Sequence, residues 1–189
     1  MAELVFLTGA PGSGKSTLAR RYVDDRPLAL LLDIDTLRSH LGAWKSDPGA
    51  AGLAARAIAL EMARTHLRAG HDVIVPQFVR LPDLVDQFRQ VAAESGSRFV
   101  LAALVSSPEE AAERFAARAE SSEESHRDAA EMQRTVWTSS IEDWYAAMIA
   151  LLSTYEDVRY VRTVAGEIDQ TYERLSACLG DGGDASQVS

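Results

Sequence analysis

The chain of 189 residues is 47% hydrophobic and 25% charged, and its formal net charge is −9 at pH 7. This length and composition favour a single soluble globular domain over two. The acidic balance argues against nucleic acid as a partner, because proteins bind its phosphates mainly through Lys and Arg, and Lys occurs only at Lys15 and Lys45.

The N-terminal residues, the apolar stretches and the cysteine content of the chain all bear on its cellular compartment. No stretch approaches the length of a membrane span, and the first eight residues lack the charged start and apolar core of a signal peptide. The single Cys178 excludes an internal disulfide and fits a reducing environment. We therefore expect a cytoplasmic protein that does not associate with membranes.

The first predicted strand, residues 4–7, leads into a glycine-rich loop and then a helix-like segment. Glycines permit the tight path that turns backbone N–H groups toward anionic oxygens, and the helix start adds its positive end. Lys15 is predicted to meet the β- and γ-phosphates, and Ser16 to offer its hydroxyl to Mg²⁺. The predicted nucleotide-binding residues of the loop are Gly9, Ala10, Pro11, Gly12, Ser13, Gly14, Lys15, Ser16 and Thr17. The loop predicts ATP or another nucleoside triphosphate with Mg²⁺; the alternative is a glycine-rich turn without a ligand.

The second predicted strand, residues 28–32, ends at two acidic residues, Asp33 and Asp35. In parallel sheets ligands collect at the carboxyl ends of strands, and alternation would place both carboxylates on one side. We assign Asp33 to the metal and Asp35 to the general base that takes the acceptor proton. The alternative for Asp35 is a helix cap before Thr36.

Polar residues follow the second and third strands on the predicted acceptor side. Arg38 lies one helical turn after Asp35, and Gln77 and Arg80 follow the third strand, residues 73–75. We predict that these three side chains line the substrate pocket; for the arginines the alternative is an exposed surface position.

The end of the third strand lacks a common element of phosphate-loop enzymes. An aspartate often organises Mg²⁺ there, but this chain has Pro76 and Gln77. Asp33 would then be the main protein ligand of Mg²⁺, or Gln77 would contact Mg²⁺ through a water molecule.

The fourth predicted strand, residues 99–105, precedes a capping box formed by Ser107 and Glu110. The predicted helix runs toward Arg118, with Arg114 on the same face. Two like charges at this spacing gain from a shared anion, so we predict that both arginines contact the phosphates and that Arg118 is catalytic. The alternatives are an ion pair between Arg114 and Glu110 and a favourable position near the helix end.

The remaining chain completes one domain of residues 1–179. Residues 119–127 are polar and without periodicity and are predicted to form a short lid; residues 128–154 carry apolar side chains at helical spacing. A fifth strand is predicted at residues 158–161, and residues 180–189 form a disordered tail. Five strands alternating with helices predict an α/β fold with a parallel sheet covered on both faces.

Three motifs together resemble those of a known family. The phosphate loop, the pattern Asp33-x-Asp35-x-x-Arg38, and the pair Arg114 and Arg118 before a polar lid resemble small P-loop kinases with an AAA-type ATP-binding domain. The resemblance is to the branch that contains polynucleotide 5′-hydroxyl kinases, chloramphenicol phosphotransferase and zeta-toxin-like kinases.

The resemblance covers about residues 3–178 and implies a three-layer P-loop NTPase fold with strand order 2-3-1-4-5. It also implies that Asp35 is the catalytic base, Arg38 a substrate contact and Arg118 a lid arginine at the phosphates. Residues 163–166 would pass near adenine.

The predicted function is a phosphotransferase with an alcohol group as acceptor. It would transfer the γ-phosphoryl group of ATP, with Mg²⁺, to a hydroxyl of a small molecule such as an antibiotic or another secondary metabolite, with Lys15, Asp35 and Arg118 as catalytic residues. The alternatives are a polynucleotide or nucleoside 5′-hydroxyl kinase, which needs a basic channel, and a nucleotide-binding switch without an acceptor. We expect a monomer or a homodimer.

Overall fold

A parallel sheet of five strands forms the centre of the computed structural model, which describes residues 1–79, 81–107, 110–111 and 141–180. The strands are β1 (Glu3–Gly9), β2 (Leu30–Leu31), β3 (Val73–Pro76), β4 (Arg98–Val105) and β5 (Val158–Arg162). Their order is β2-β3-β1-β4-β5, and all four neighbouring pairs are parallel. This confirms the predicted α/β class and strand order.

Helices connect the strands, as parallel pairing requires. The described helices are α1 (Lys15–Asp24), α2 (Ile34–Ser39), α3 (Pro48–Arg68), α4 (Asp83–Glu94), α5 (Ile141–Leu152) and α6 (Ile168–Gly180), with a 3₁₀ turn at Trp44–Ser46. None of the helices in these ranges is long and apolar enough to cross a membrane.

Each face of the sheet has its own hydrophobic core. Leu4 and Phe6 of β1 contribute to the core beneath α3, α4 and α5, whereas Val5 and Leu7 contribute to the core beneath α1 and α6. Successive residues of a strand point to opposite faces, so β1 is apolar throughout because both faces are covered. The three layers predicted from the sequence are confirmed.

Several predicted element ends differ from the observed ones by one or two residues, and two of the differences have a visible cause. The second strand is Leu30–Leu31 rather than residues 28–32, and it begins late because Leu28 has a left-handed φ of 60° and the Ala29 N–H turns back to Arg26 O. The helix predicted to reach residue 154 ends at Leu152; the Thr154 N–H bonds to Leu151 O in a tighter turn. The predicted start of that helix lies outside the described residues.

The predicted capping box is present at residue 107. The Ser107 N–H donates to Glu110 Oε2 at 3.1 Å, and the Glu110 N–H donates to Ser107 Oγ at 3.2 Å. These reciprocal bonds satisfy two N–H groups that a helix start leaves unpaired. The continuation toward Arg118, the predicted lid and residues 181–189 lie outside the described residues; Gly180, predicted to open the tail, ends α6.

An ion pair with stacked aromatic rings ties α4 to the turn before β5. The two Nη atoms of Arg89 donate to the two carboxylate oxygens of Asp157 at 2.6 and 2.9 Å. The same guanidinium lies over the rings of Phe99 and Tyr155, with centroid distances of 4.6 and 5.6 Å. Bidentate geometry and stacking make this pair more favourable than a typical surface ion pair.

The hydrogen bond from Arg89 lowers the pKa of Asp157, so the pair should stabilise the fold in a pH-dependent way. A carboxyl group with a lowered folded-state pKa contributes stability above its unfolded pKa of about 3.9, and that contribution is lost as pH falls through the folded value. We expect Asp157→Asn to lower the free energy of unfolding by about 1 kcal/mol at pH 7, with the difference from wild type vanishing in strong acid. Urea unfolding across a pH series measures this. The adjacent Glu156→Gln is the control, and equal effects of the two substitutions would refute the role of the pair.

Candidate active site

The loop between β1 and α1 forms a backbone cradle. Gly14 caps α1 with a left-handed φ of 91° and has no side chain to bond to the N–H groups of the first turn. Within the loop the Ser13 N–H donates to Ala10 O at 3.1 Å, which closes a tight turn. A helix start whose N–H groups are left for a ligand is a ready anion site.

Gly9, the last residue of β1, is required for close packing beneath this loop. A Cβ at Gly9 would lie 2.7 Å from Ser13 Oγ and 2.9 Å from Leu104 Cβ. The φ of 157° at Gly9 is also one that side chains rarely adopt. The loop therefore lies directly against β4, which fixes its path.

Gly9→Ala should displace the loop and destabilise the fold. We expect a loss of about 1–3 kcal/mol of unfolding free energy, since a methyl group has to be forced into a filled space. The matched control is Gly52→Ala within α3, where an added Cβ has no neighbour within 4 Å. That substitution should raise stability by about 0.5–1 kcal/mol, because alanine favours a helix over glycine. Thermal unfolding of both variants measures the contrast; similar losses for both would contradict the packing argument.

Lys15 places its ammonium group within the loop. Its Nζ donates to Gly9 O at 2.8 Å and to Ala10 O at 2.9 Å. Ser16 follows in the first turn of α1 and is exposed, so its hydroxyl is accessible to a hydrated cation. The donor set of N–H groups, an ammonium and a hydroxyl fits a magnesium-bound phosphate chain.

A cleft of about 240 Å³ separates the loop from the segment after β5. One side of the cleft is lined by Gly12, Ser13 and Gly14 of the loop. The other side is lined by residues 163–166 and by Ile168 and Thr171 of α6. Ser13 Oγ is buried in the described structure without a hydrogen-bond partner. The structure thus brings residues 163–166 beside the phosphate loop. Sequence reasoning missed Ile168 and Thr171, because nothing local to α6 shows that this helix returns to the first loop.

The two acidic residues after β2 have different positions from those expected. Asp33 is the N-cap of α2, and its Oδ1 accepts the N–H groups of Asp35 and Thr36 at 2.9 and 3.0 Å. Asp35 lies in the first turn of the helix and does not alternate with Asp33 on a strand. The prediction of a shared strand side is wrong because β2 ends at Leu31, and so is the alternative that Asp35 caps the helix. The metal role predicted for Asp33 now depends on its second oxygen, Oδ2.

Asp35 forms an ion pair with Arg38. Arg38 Nη2 lies 3.1 Å from Asp35 Oδ1, and the side chain of Arg38 is only 17% exposed, whereas that of Asp35 is 52% exposed. The guanidinium of Arg38 also lies over the ring of Trp44, 5.1 Å from its centroid. Arg38 is therefore not an exposed surface arginine, and it holds a carboxylate that faces solvent.

Gln77 follows β3, at the same carboxyl end of the sheet. Its N–H donates to Leu7 O at 3.0 Å, beside the strand that leads into the phosphate loop. Its Oε1 is buried without a hydrogen-bond partner in the described structure, and the ring of the next residue, Phe78, contacts Trp144 of α5 with a centroid distance of 6.5 Å. The third strand ends in a buried amide acceptor rather than a carboxylate. Arg80, Arg114 and Arg118 lie outside the described residues, so their predicted roles stay predictions.

Solved structures of similar shape include three bacterial proteins. APS kinase of Mycobacterium tuberculosis in complex with AMPPNP and APS has a TM-score of 0.65 at 20% identity, with 95% of this chain and 98% of that chain covered. The tunicamycin resistance protein of Deinococcus radiodurans has a TM-score of 0.61 at 13% identity, with 95% and 96% covered. A gluconokinase from Sinorhizobium meliloti 1021 has a TM-score of 0.59 at 17% identity, with 94% and 91% covered. These similarities show that the chain has the same fold as these proteins.

Comparison of sequences gives the family. A search of curated proteins finds no match. A family described as AAA domain matches residues 4–142, which include the phosphate loop, Asp35 and Arg38. Because this match spans more than half of the chain, the protein belongs to the AAA domain family.

Proposed function

We propose that the protein is a kinase that transfers the γ-phosphoryl group of ATP, with Mg²⁺, to a hydroxyl group of a small molecule. The observation that supports this proposal most strongly is that two features lie at the carboxyl end of the same sheet. The phosphate loop with Lys15 follows β1, and the solvent-facing Asp35, held by Arg38, follows β2. A binding loop alone would serve a switch, whereas proton removal from an acceptor also requires a positioned carboxylate at the same end of the sheet.

The loop would hold the triphosphate by its backbone and by Lys15. Its N–H groups and the start of α1 attract the phosphate oxygens, and the Lys15 ammonium exchanges the carbonyls of Gly9 and Ala10 for oxygens of the β- and γ-phosphates. Mg²⁺ would be held by Ser16 and, through Oδ2, by Asp33, and it would neutralise charge on the phosphates. In this arrangement, binding of the phosphates and of Mg²⁺ requires no charged residue other than Lys15 and Asp33.

Asp35 would act as the general base. As the acceptor oxygen forms a bond to the γ-phosphorus, the bond from that phosphorus to the β–γ bridging oxygen breaks, ADP leaves, and the hydroxyl proton passes to Asp35. Arg38 keeps the carboxylate oriented, because its own side chain is fixed between Asp35 and the ring of Trp44. We also propose that Arg114 and Arg118, as the sequence predicts, stabilise charge on the transferred group.

The cleft beside the loop is proposed to take the adenine base. Its described lining consists of glycines, hydroxyl residues and the apolar Val164, Ala165 and Ile168, and it includes no Asp or Glu. Guanine presents two adjacent donors that a carboxylate would pair, so this lining favours ATP over GTP.

A small molecule is the acceptor class that the observations favour. The proteins of similar fold include APS kinase bound to APS, a gluconokinase and a tunicamycin resistance protein. The net charge of −9 disfavours a polyanionic acceptor. Within the described residues Arg38 is already paired with Asp35, which leaves less positive charge for a nucleic acid backbone.

Transfer of labelled γ-phosphate from ATP to a mixed panel tests this proposal. The panel holds hydroxylated antibiotics, nucleosides and an oligonucleotide with a free 5′-hydroxyl, each assayed with and without Mg²⁺. We expect a labelled small molecule only with Mg²⁺. A labelled oligonucleotide would replace the proposal by the polynucleotide kinase alternative.

A further inference from the structure

Two buried polar atoms on the acceptor side of the candidate site lack a hydrogen-bond partner in the described part of the chain. They are Arg38 Nε and Gln77 Oε1. The first is a donor, whereas the second, the carbonyl oxygen of an amide, is an acceptor. A buried polar atom without a partner destabilises a fold, so each one needs an explanation. Because the two atoms have opposite hydrogen-bonding roles, a group that both accepts and donates would satisfy both.

The two residues follow neighbouring strands. Arg38 lies in α2, after β2, and Gln77 directly follows β3, which pairs in parallel with β2. Their chain neighbours, Leu37 and Phe78, pack against the same hydrophobic core. The segments that carry Arg38 and Gln77 therefore lie on one face of the sheet at its carboxyl end, where ligands of parallel sheets bind.

The guanidinium of Arg38 connects one of these atoms to the proposed base. Its Nε and Nη2 lie on one edge of a rigid planar group, which can hold two oxygens side by side. Nη2 lies 3.1 Å from Asp35 Oδ1, whereas Nε has no partner among the described residues. An oxygen bound at Nε would therefore lie beside Asp35, next to the hydroxyl that Asp35 deprotonates.

The amide of Gln77 is held weakly. Its Nε2 lies 3.5 Å from the carbonyl oxygen of the next residue, Phe78, which is close to the limit for a hydrogen bond. The terminal torsion of a glutamine is broad, so the amide can turn without strain and present Oε1 to a bound molecule. A hydroxyl of that molecule would supply the donor that Gln77 Oε1 lacks.

The phosphorylated hydroxyl cannot supply these contacts by itself. Its lone pair forms the bond to the γ-phosphorus, and its proton passes to Asp35. Hydroxyl groups on neighbouring carbons can supply them, because a hydroxyl accepts from Arg38 Nε and donates to Gln77 Oε1. A protonated amine does not fit at Arg38, since an ammonium group has no lone pair.

We propose that the acceptor is a polyol, such as a sugar or a cyclitol, and that Arg38 Nε and Gln77 Oε1 bind hydroxyl groups adjacent to the one that is phosphorylated. This assignment rests on the proposed kinase function. It narrows the acceptor from any small molecule with a hydroxyl to one with hydroxyl groups on neighbouring carbons. Gln77 then determines specificity without taking part in the transfer.

Transfer of labelled γ-phosphate to matched pairs of alcohols tests the acceptor class. Each pair holds a polyol and an alcohol with the same carbon skeleton and a single hydroxyl, namely inositol with cyclohexanol and sorbitol with hexanol, and hydroxylated antibiotics are assayed beside them. We expect kcat/KM to be about 10- to 100-fold higher for the polyol of a pair. Equal labelling within the pairs overturns the polyol assignment and leaves the kinase in place. No label on any compound overturns the kinase proposal and the assignment with it.

Gln77→Met tests the contact both without and with an acceptor. Methionine removes the unpartnered oxygen, so the unliganded variant should unfold about 2–4 °C above the wild type. Its KM for the labelled polyol should rise about 2- to 10-fold, while its KM for ATP stays unchanged.

Gln90→Met is the matched control for Gln77→Met. Gln90 is exposed on α4, and its Nε2 donates to Glu94 Oε1 at 2.7 Å, so its substitution removes no unpartnered atom and should raise neither the unfolding temperature nor KM. A Gln77→Met variant no more stable than Gln90→Met overturns the proposal. A change in its Mg²⁺ dependence in place of its KM for the polyol would assign Gln77 to the metal and also overturn it.

Discussion

Asp35→Asn should lower acceptor phosphorylation by about 10²- to 10⁴-fold, the range expected when a general base is removed. Asparagine keeps the shape of the side chain and its hydrogen bond with Arg38 but does not take a proton at neutral pH. ATP affinity should change little, because Asp35 lies after β2 whereas the phosphate loop follows β1. The measurement is the initial rate of labelled phosphate transfer beside calorimetric ATP binding.

Asp24→Asn is the control for Asp35→Asn. Asp24 is an exposed carboxylate at the far end of α1, so it lies at the opposite edge of the sheet. We expect a rate like that of the wild type. If Asp35→Asn transfers phosphate as fast as Asp24→Asn, Asp35 is not the base.

Lys15→Met should weaken ATP binding about 10- to 100-fold. Hydrogen bonds to charged groups contribute about 1.5–3 kcal/mol each, and methionine retains the length of the side chain while losing the ammonium. The substitution also removes the hydrogen bonds from Lys15 Nζ to Gly9 O and Ala10 O. Calorimetric titration with ATP measures the change directly.

The second lysine of the chain provides the control for Lys15→Met. Lys45 Nζ lies 5.3 Å from the ring centroid of Trp44, in the turn between α2 and α3, a segment that follows β2 rather than β1. Lys45→Met should bind ATP as the wild type does. Equal weakening by both substitutions would indicate a general effect of charge rather than a contact of Lys15 with phosphate.

The sequence predicted those parts of the molecule whose structure is determined by short residue patterns. The phosphate loop depends on glycines at fixed spacing, and the capping box depends on Ser107 and Glu110 alone; both are present as expected. The sheet order followed from the resemblance of three motifs to a family with one topology.

The positions of Asp33 and Asp35 show where local patterns were insufficient. Both residues have high capping propensity, so sequence does not decide which one starts the helix. In the structure β2 ends at Leu31, and Asp33 caps the helix by accepting the N–H groups of Asp35 and Thr36. The same limit applies to the cleft, because the approach of Thr171 to the loop is set by the packing of α6.

The partition of γ-phosphate in a complete reaction distinguishes a kinase from a nucleotide switch. Wild-type protein is incubated with labelled ATP, Mg²⁺ and the small molecules of the panel, and the label is separated into acceptor and inorganic phosphate. We expect the label to appear on a small-molecule acceptor at a rate that far exceeds its release as phosphate. Binding of ATP with release of inorganic phosphate alone, whatever hydroxyl compounds are present, would contradict it and indicate a nucleotide switch.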